Sequence, residues 1–310
     1  MKGLVLGGSK NLFDVECDDG VTRLCSIKGK KLDVGGKYYN PLAPGDIVAV
    51  EPDEKTDEQG QILKLMPRRN EYGRWNVKGR EPQLLAANVD LILCITTPDE
   101  PPFRPRFVDR VLAQAECAGI KPMIVCNKCD LEAAEDPDFE FRLTDWQNIG
   151  YDVIRVSAAT GDGIDALLDA FKGKLCVLTG QSGVGKSSII NRLDPSLNLR
   201  TGELSDKYGR GTHTTTKGSL LHINNGSASI IDTPGVRRFV LNDIAPCDLA
   251  LYFREMRPLL GKCSYGMSCT HTHEAGCKIL EGVYAGAISE ERYESWQRIC
   301  DELSTGSWED

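Results

Sequence analysis

The sequence predicts an α/β fold: a mostly parallel sheet covered by helices, flanked by an N-terminal β-barrel and a C-terminal, mainly helical domain that binds zinc. Three observations carry this. Short strand-like runs with glycine-rich turns fill residues 1–66, apolar runs alternate with helical patterns from about Glu81, and Cys and His cluster from Cys263 to Cys277. With 310 residues the chain has room for two or three domains, and 41% hydrophobic with 26% charged residues is an ordinary globular balance.

In residues 1–66 the expected strands are Gly3–Leu6, Leu12–Cys17, Thr22–Ile27, Ile47–Glu51 and Gln61–Leu65. Turn residues separate them, as at Asp18-Asp19-Gly20, Gly35-Gly36 and Pro44-Gly45-Asp46. Five such strands fit a small barrel of the oligonucleotide-binding (OB) type, with an SH3-like barrel as the alternative.

Residues 67–80 are expected to be a basic linker. The whole chain carries a net charge of −8, which argues against a nucleic-acid partner, but residues 1–80 hold 14 basic and 12 acidic side chains, so the acidic excess lies elsewhere. Within Lys64 to Arg80 six basic residues face one acid, Glu71, with Tyr72 and Trp75 interleaved. Charge for phosphate and rings for stacking suit a flexible RNA contact, and a solvated linker is the plainer reading.

Residues 81–240 alternate strand and helix. Val89–Thr96, Met123–Cys126, Val153–Val156 and Leu175–Thr179 are apolar runs, with helices expected over Phe107–Ala118 and Ile164–Phe171. Continuous apolar strands joined by helices imply a parallel sheet buried on both faces, with ligands at the carboxyl ends of its strands.

Gly180-Gln181-Ser182-Gly183-Val184-Gly185-Lys186-Ser187 is a full G-x-x-x-x-G-K-[ST] loop after one such strand, with a helix expected from Ser187. Its glycines let backbone N–H groups converge on phosphate, Lys186 reaches the β/γ-phosphates, Ser187 ligates Mg²⁺, and Ser188 joins the nucleotide-binding set. Asp232-Thr233-Pro234-Gly235 follows 45 residues after Ser187. There Asp232 would hold Mg²⁺ and the Gly235 N–H would sense the γ-phosphate.

Asn127-Lys128-Cys129-Asp130 supplies base choice. An Asp carboxylate accepts from the N1–H and 2-amino edge of guanine, which adenine lacks. Asn127 is expected on O6/N7, the Lys128 stem along the base, and the Ala158 N–H, in Ser157-Ala158-Ala159, as a further donor to O6. This element precedes the phosphate loop instead of following it. The chain therefore reads as a circularly permuted P-loop GTPase.

Between loop and Asp232, the segment Arg210-Gly211-Thr212-His213-Thr214-Thr215-Thr216 occupies the place of a first switch. A threonine there would complete Mg²⁺ coordination when γ-phosphate is present, Thr215 first and Thr216 next. Val236 stands where Ras-like enzymes carry a water-orienting Gln, and a valine cannot hydrogen-bond. His213 is the candidate to orient the water.

Cys263-x5-Cys269-x-His271-x5-Cys277 offers three thiolates and one imidazole, the closed shell of a structural zinc, one per chain, with His273 as the spare histidine. The permuted order, Gly209 to Thr216, the barrel and this cluster together resemble the RsgA (YjeQ/YloQ) family. The resemblance spans nearly the whole chain. It implies an OB domain (1–66), a permuted GTPase domain (81–240) and a C-terminal zinc domain (241–310). It also implies stimulation by the 30S small ribosomal subunit and its 16S rRNA, a role in late subunit maturation, and His213 as the catalytic histidine. A GTP-gated RNA- or protein-binding module with incidental hydrolysis is the alternative.

The remaining cysteines, among them Cys94, Cys126 and Cys176, sit in apolar runs as free thiols, and no signal peptide or membrane span is evident. A cytoplasmic monomer is expected. A last helix should start after Ser289, with Tyr293, Trp296, Cys300 and Leu303 on a packing face.

Overall fold

The computed structural model describes all residues except 10, 30, 31, 33–35, 200–217, 236, 237, 309 and 310. Five strands, β1 (Lys2–Ser9), β2 (Leu12–Cys17), β3 (Thr22–Ile27), β4 (Ile47–Pro52) and β5 (Gln59–Leu65), close a barrel in the order β1-β2-β3-β5-β4. Strict alternation drives it. In β2 the residues Phe13, Val15 and Cys17 face inward and their neighbours outward, so Val5, Phe13, Val15, Cys25, Val48, Val50 and Ile62 make one core. Among the described residues of the barrel only β3 and β5 pair in parallel, and the closed five-stranded form is of the OB type.

The segment expected as a flexible basic linker is a strand. β6 (Glu71–Asn76) pairs antiparallel with β7 (Glu81–Ala87), and the basic residues before it are committed to partners. Arg68 is buried against the fully buried Asp46 of the barrel at 2.7 Å and reaches Glu71 at 3.1 Å. Arg69 pairs with Asp90 at 2.6 Å. Tyr72, read as a ring free to stack on bases, is fully buried and stacks on Phe239 at 5.9 Å. Charge and aromaticity here fasten barrel to sheet.

The central sheet runs β10-β9-β8-β11-β13-β12, from β8 (Leu91–Thr96), β9 (Lys121–Cys126), β10 (Asp152–Arg155), β11 (Leu175–Gly180), β12 (Ser219–Ile223) and β13 (Ala228–Asp232). All pairings are parallel except the β12–β13 edge. Every residue of β8 is buried, as a strand covered on both faces requires. The helices are α1 (Pro105–Cys117), α2 (Pro137–Ile149), α3 (Ile164–Phe171) and α4 (Lys186–Leu193). The helix α2 went unread in the sequence. Asp136 caps it, accepting from the N–H groups of Asp138 and Phe139.

The C-terminal segment carries α5 (Lys278–Tyr284) and α6 (Glu290–Thr305), the latter capped by Ser289. It packs on α1 through buried charge. Asp109 accepts from Arg292 at 2.5 Å, Arg142 at 2.6 Å and the Trp146 indole at 2.9 Å. Burial alone would raise the Asp109 pKa, but Arg142 and Arg292 outweigh it and hold the carboxyl below its ordinary value. Arg110 pairs with Glu302 beside this cluster.

Candidate functional site

The motif residues meet at the carboxyl edge of the sheet. β11 ends at Gly180, whose neighbour in β8 is Ile95, and a Cβ at Gly180 would stand 2.8 Å from the Ile95 carbonyl oxygen. Gly183 and Gly185 take φ of +87° and +89°, a region closed to most side chains. The loop so formed delivers the N-terminus of α4 toward its centre. Lys186 is buried, and its Nζ donates to the carbonyls of Gly180 at 3.1 Å and Gln181 at 3.0 Å. Burial lowers its pKa to about 8, against the pull of Asp232. Ser187 and Ser188 are half-buried in the first turn of α4, and Ser182 and Val184 complete the loop.

Asp232 ends β13, opposite Leu178 of β11. The residue is half-buried overall, but its Oδ1 is shielded from solvent and has no hydrogen-bond partner among the described residues. Burial pushes its pKa up to about 6, only partly offset by Lys186. An orphaned, shielded carboxylate oxygen facing a phosphate loop suits a hard cation such as Mg²⁺, so these residues fit that ion. The Thr233 hydroxyl donates to the Leu178 carbonyl at 2.6 Å and pins the turn. At Gly235 a Cβ would lie 3.0 Å from both Lys186 Nζ and Ser182 Cα, so only glycine brings this turn so close to the loop.

The base-reading element departs from expectation in one respect. Asn127, expected on guanine O6/N7, is buried with both side-chain functions taken: its Nδ2 donates to the Val184 carbonyl at 2.8 Å, and its Oδ1 accepts from the Ala158 N–H at 3.0 Å. That N–H, expected on O6, is thereby occupied. Asn127 is a brace tying the phosphate loop to the Ser157-Ala158 turn. Gly185 allows it, since a Cβ there would fall 2.3 Å from Asn127 Nδ2. Lys128 sits at φ +63° and its Nζ donates to the Glu100 carbonyl, closing one wall. The Cys129 thiol turns away to the Cys126 carbonyl at 3.2 Å. The exposed Asp130 carboxylate has no partner among the described residues. Ser157 is buried, its hydroxyl accepting from the Thr160 N–H at 3.1 Å.

His213, Thr215 and Thr216 lie outside the described residues, as does Val236. The Glu100 carbonyl was not foreseen. A backbone acceptor leaves no mark in a sequence.

Cys263, Cys269, His271 and Cys277 converge in the C-terminal segment, all buried, their ligand atoms within 4.8 Å of one another. His271 Nδ1 is 3.6 Å from Cys263 Sγ and 3.4 Å from Cys277 Sγ, and the latter two sulfurs are 3.9 Å apart. Around a tetrahedral zinc, bonds of about 2.0–2.3 Å place ligand atoms about 3.4–3.8 Å apart, so the cluster fits that ion. The Lys278 N–H donates to Cys263 Sγ at 3.3 Å, a bond that favours a thiolate. His273 turns to the Thr272 hydroxyl instead and is not in the shell.

Known proteins share the sequence and fold of this chain. The family model described as RsgA GTPase matches residues 65–242. The small ribosomal subunit biogenesis GTPase RsgA of Porphyromonas gingivalis is 36% identical over 307 residues, covering 97% of each chain. Its namesake in Bacteroides fragilis is 34% identical over 310 residues, covering 99% of each. Among solved structures, YjeQ from Thermotoga maritima superimposes with a TM-score of 0.74 at 30% identity, covering 98% of both chains. YloQ, described as a circularly permuted GTPase, gives 0.70 at 25% identity, covering 100% of this chain and 96% of its own.

Proposed function

The chain belongs to the RsgA GTPase family, and on that premise we propose that it hydrolyses GTP to GDP and phosphate in late maturation of the small ribosomal subunit, at a rate the subunit raises. The observation that carries the reading is the Asn127 brace, which joins a guanine-type tetrapeptide to a phosphate loop that follows it in the chain. In this reading Asp130 selects guanine and the Lys128 stem packs along the base. Gly180 to Ser188 cradle the phosphates. Ser187, Asp232 and one of Thr215 or Thr216 hold Mg²⁺, which when bound would neutralise charge on the β- and γ-phosphates. His213 orients the attacking water. Cys263, Cys269, His271 and Cys277 hold one structural zinc.

The barrel of residues 1–66 and the exposed part of residues 67–80 are proposed to touch rRNA, with the GTPase unit at 81–240 and the zinc unit at 241–310. No helix among the described residues is long and apolar enough to cross a membrane, and we place the protein in the cytoplasm as a monomer. Val236, unable to orient water, supports a low intrinsic rate both here and in a second reading, in which nucleotide gates binding and hydrolysis is incidental. GTPase assays with and without isolated small subunits decide between them. Stimulated turnover that is lost in His213→Ala, with GTP affinity kept, supports the enzyme; an unchanged rate with subunits supports the gate.

A further inference from the structure

A groove of about 740 Å³ lies beside the zinc cluster, between the turn Pro246–Tyr252, the loop carrying Cys269 and His271, and one face of α6. Its volume is that of a site able to bury several side chains. One wall is apolar. Met267 stands 79% exposed and Leu251 38% exposed, where a folded chain with no partner would gain by covering them. Trp296 lines the groove, stacked on Tyr293 at 5.7 Å and edge-on to His271, and its indole N–H has no acceptor among the described residues.

The rim is acidic. Asp248, Glu294 and Asp301 are exposed along it, against Arg298 as the one cation among the described lining residues, 4.0 Å from Glu294. Three carboxylates repel a phosphate backbone, whose binding rests on clustered cations. They attract Lys and Arg.

We infer that this groove docks a basic, apolar-bearing segment of a protein partner, its Lys or Arg side chains on Asp248, Glu294 and Asp301 and an aliphatic side chain between Met267 and Leu251. The mode is a peptide in a groove, with the apolar anchor giving affinity and the rim giving on-rate and salt dependence. This goes beyond the proposed GTP chemistry and does not depend on it.

The test is fluorescence anisotropy of a labelled amphipathic Lys/Leu peptide with the full, zinc-loaded chain, with a labelled Glu/Leu peptide and labelled poly(U) as separate probes. The Lys/Leu peptide should bind and weaken as salt rises. The double variant Glu294→Lys/Asp301→Lys should weaken it about tenfold or more, and Met267→Ser several-fold, with zinc content unchanged. Reversing two exposed acids on the distant barrel loop, Asp57→Lys/Glu58→Lys, should leave it within about twofold. No binding, an equal loss from the barrel variant, or equal binding of the Glu/Leu peptide would overturn the proposal. Binding of labelled poly(U) that Met267→Ser weakens would overturn the proposal and reassign the groove to RNA.

Discussion

At the phosphate loop, burial governs both charged side chains: it drives the Lys186 pKa down to about 8 and that of Asp232 up to about 6, although each favours the charge of the other. For Asp232 the folded value lies above the unfolded one. The native state then binds the proton more tightly, so stability of the nucleotide-free protein is lost as pH rises from about 4 through about 6. Asp232→Asn should therefore stabilise the nucleotide-free protein at pH 7, on the order of 2 kcal/mol, and do nothing near pH 4, as thermal unfolding at both values will read. In its proposed role on Mg²⁺ the same carboxylate must ionise, so Mg²⁺-dependent binding of a fluorescent GTP analogue should fall as pH drops through about 6. Asp130, by contrast, is exposed and without a partner among the described residues, and the role proposed for its carboxylate is to select the base. Asp130→Asn should weaken GTP about 100-fold or more in competition binding. Xanthosine triphosphate, which offers a carbonyl where guanine has its amine, should recover much of that loss.

Among the elements, the strands and the phosphate loop were legible because their signals are local: period-2 alternation in β2 and β3, an unbroken apolar run in β8, glycines at fixed offsets. The helix α2 was legible too and passed over, for Asp136-Pro137 is a capped start and Phe139, Leu143 and Trp146 recur at helical spacing. The hairpin β6–β7 was not. Its meaning rests on Arg68 meeting Asp46, 22 positions earlier, and on Tyr72 meeting Phe239, and no local pattern announces such pairings. Asn127 teaches the same lesson at the site: its residue type was readable, while its partners Val184 and Ala158 come from distant loops. The Cys263–Cys277 cluster, legible from spacing, makes a simple prediction. Elemental analysis of chelator-free protein should find one zinc per chain. Cys277→Ser should lose it and lower the melting temperature by about 5–10 °C.

For the whole molecule, the junction that counts is the buried cluster where Asp109 of α1 meets Arg142 of α2 and Arg292 of α6. Two buried guanidiniums share that carboxylate, Arg292 also holding Glu255 at 2.7 Å and Arg142 reaching Asp145 at 3.4 Å. Asp109→Asn should cost about 3–5 kcal/mol in urea unfolding, far more than loss of an exposed ion pair such as Lys121–Asp152. Phe239, four residues past Gly235, touches both Tyr72 of the hairpin and Phe107 of α1. We propose that through these two contacts a change at Gly235 is felt in the hairpin and in α1. Hydrogen exchange in the hairpin and α1 compared between GDP and a non-hydrolysable GTP analogue would reveal whether it is.

The reversed motif order also sets a timetable for the growing polypeptide. Strands β8, β9 and β10 can pair as soon as Arg155 has been made, whereas Leu91 must wait for Cys176 before β11 can dock beside β8. On a ribosome the base-reading turn therefore emerges first, with Asn127 still lacking the Val184 carbonyl that will anchor it. Asp109 waits longer still, until Arg292, 183 positions later, is added. A truncated chain would hold a half-built pocket over an incomplete charge cluster, and quality-control proteases would meet it in that state.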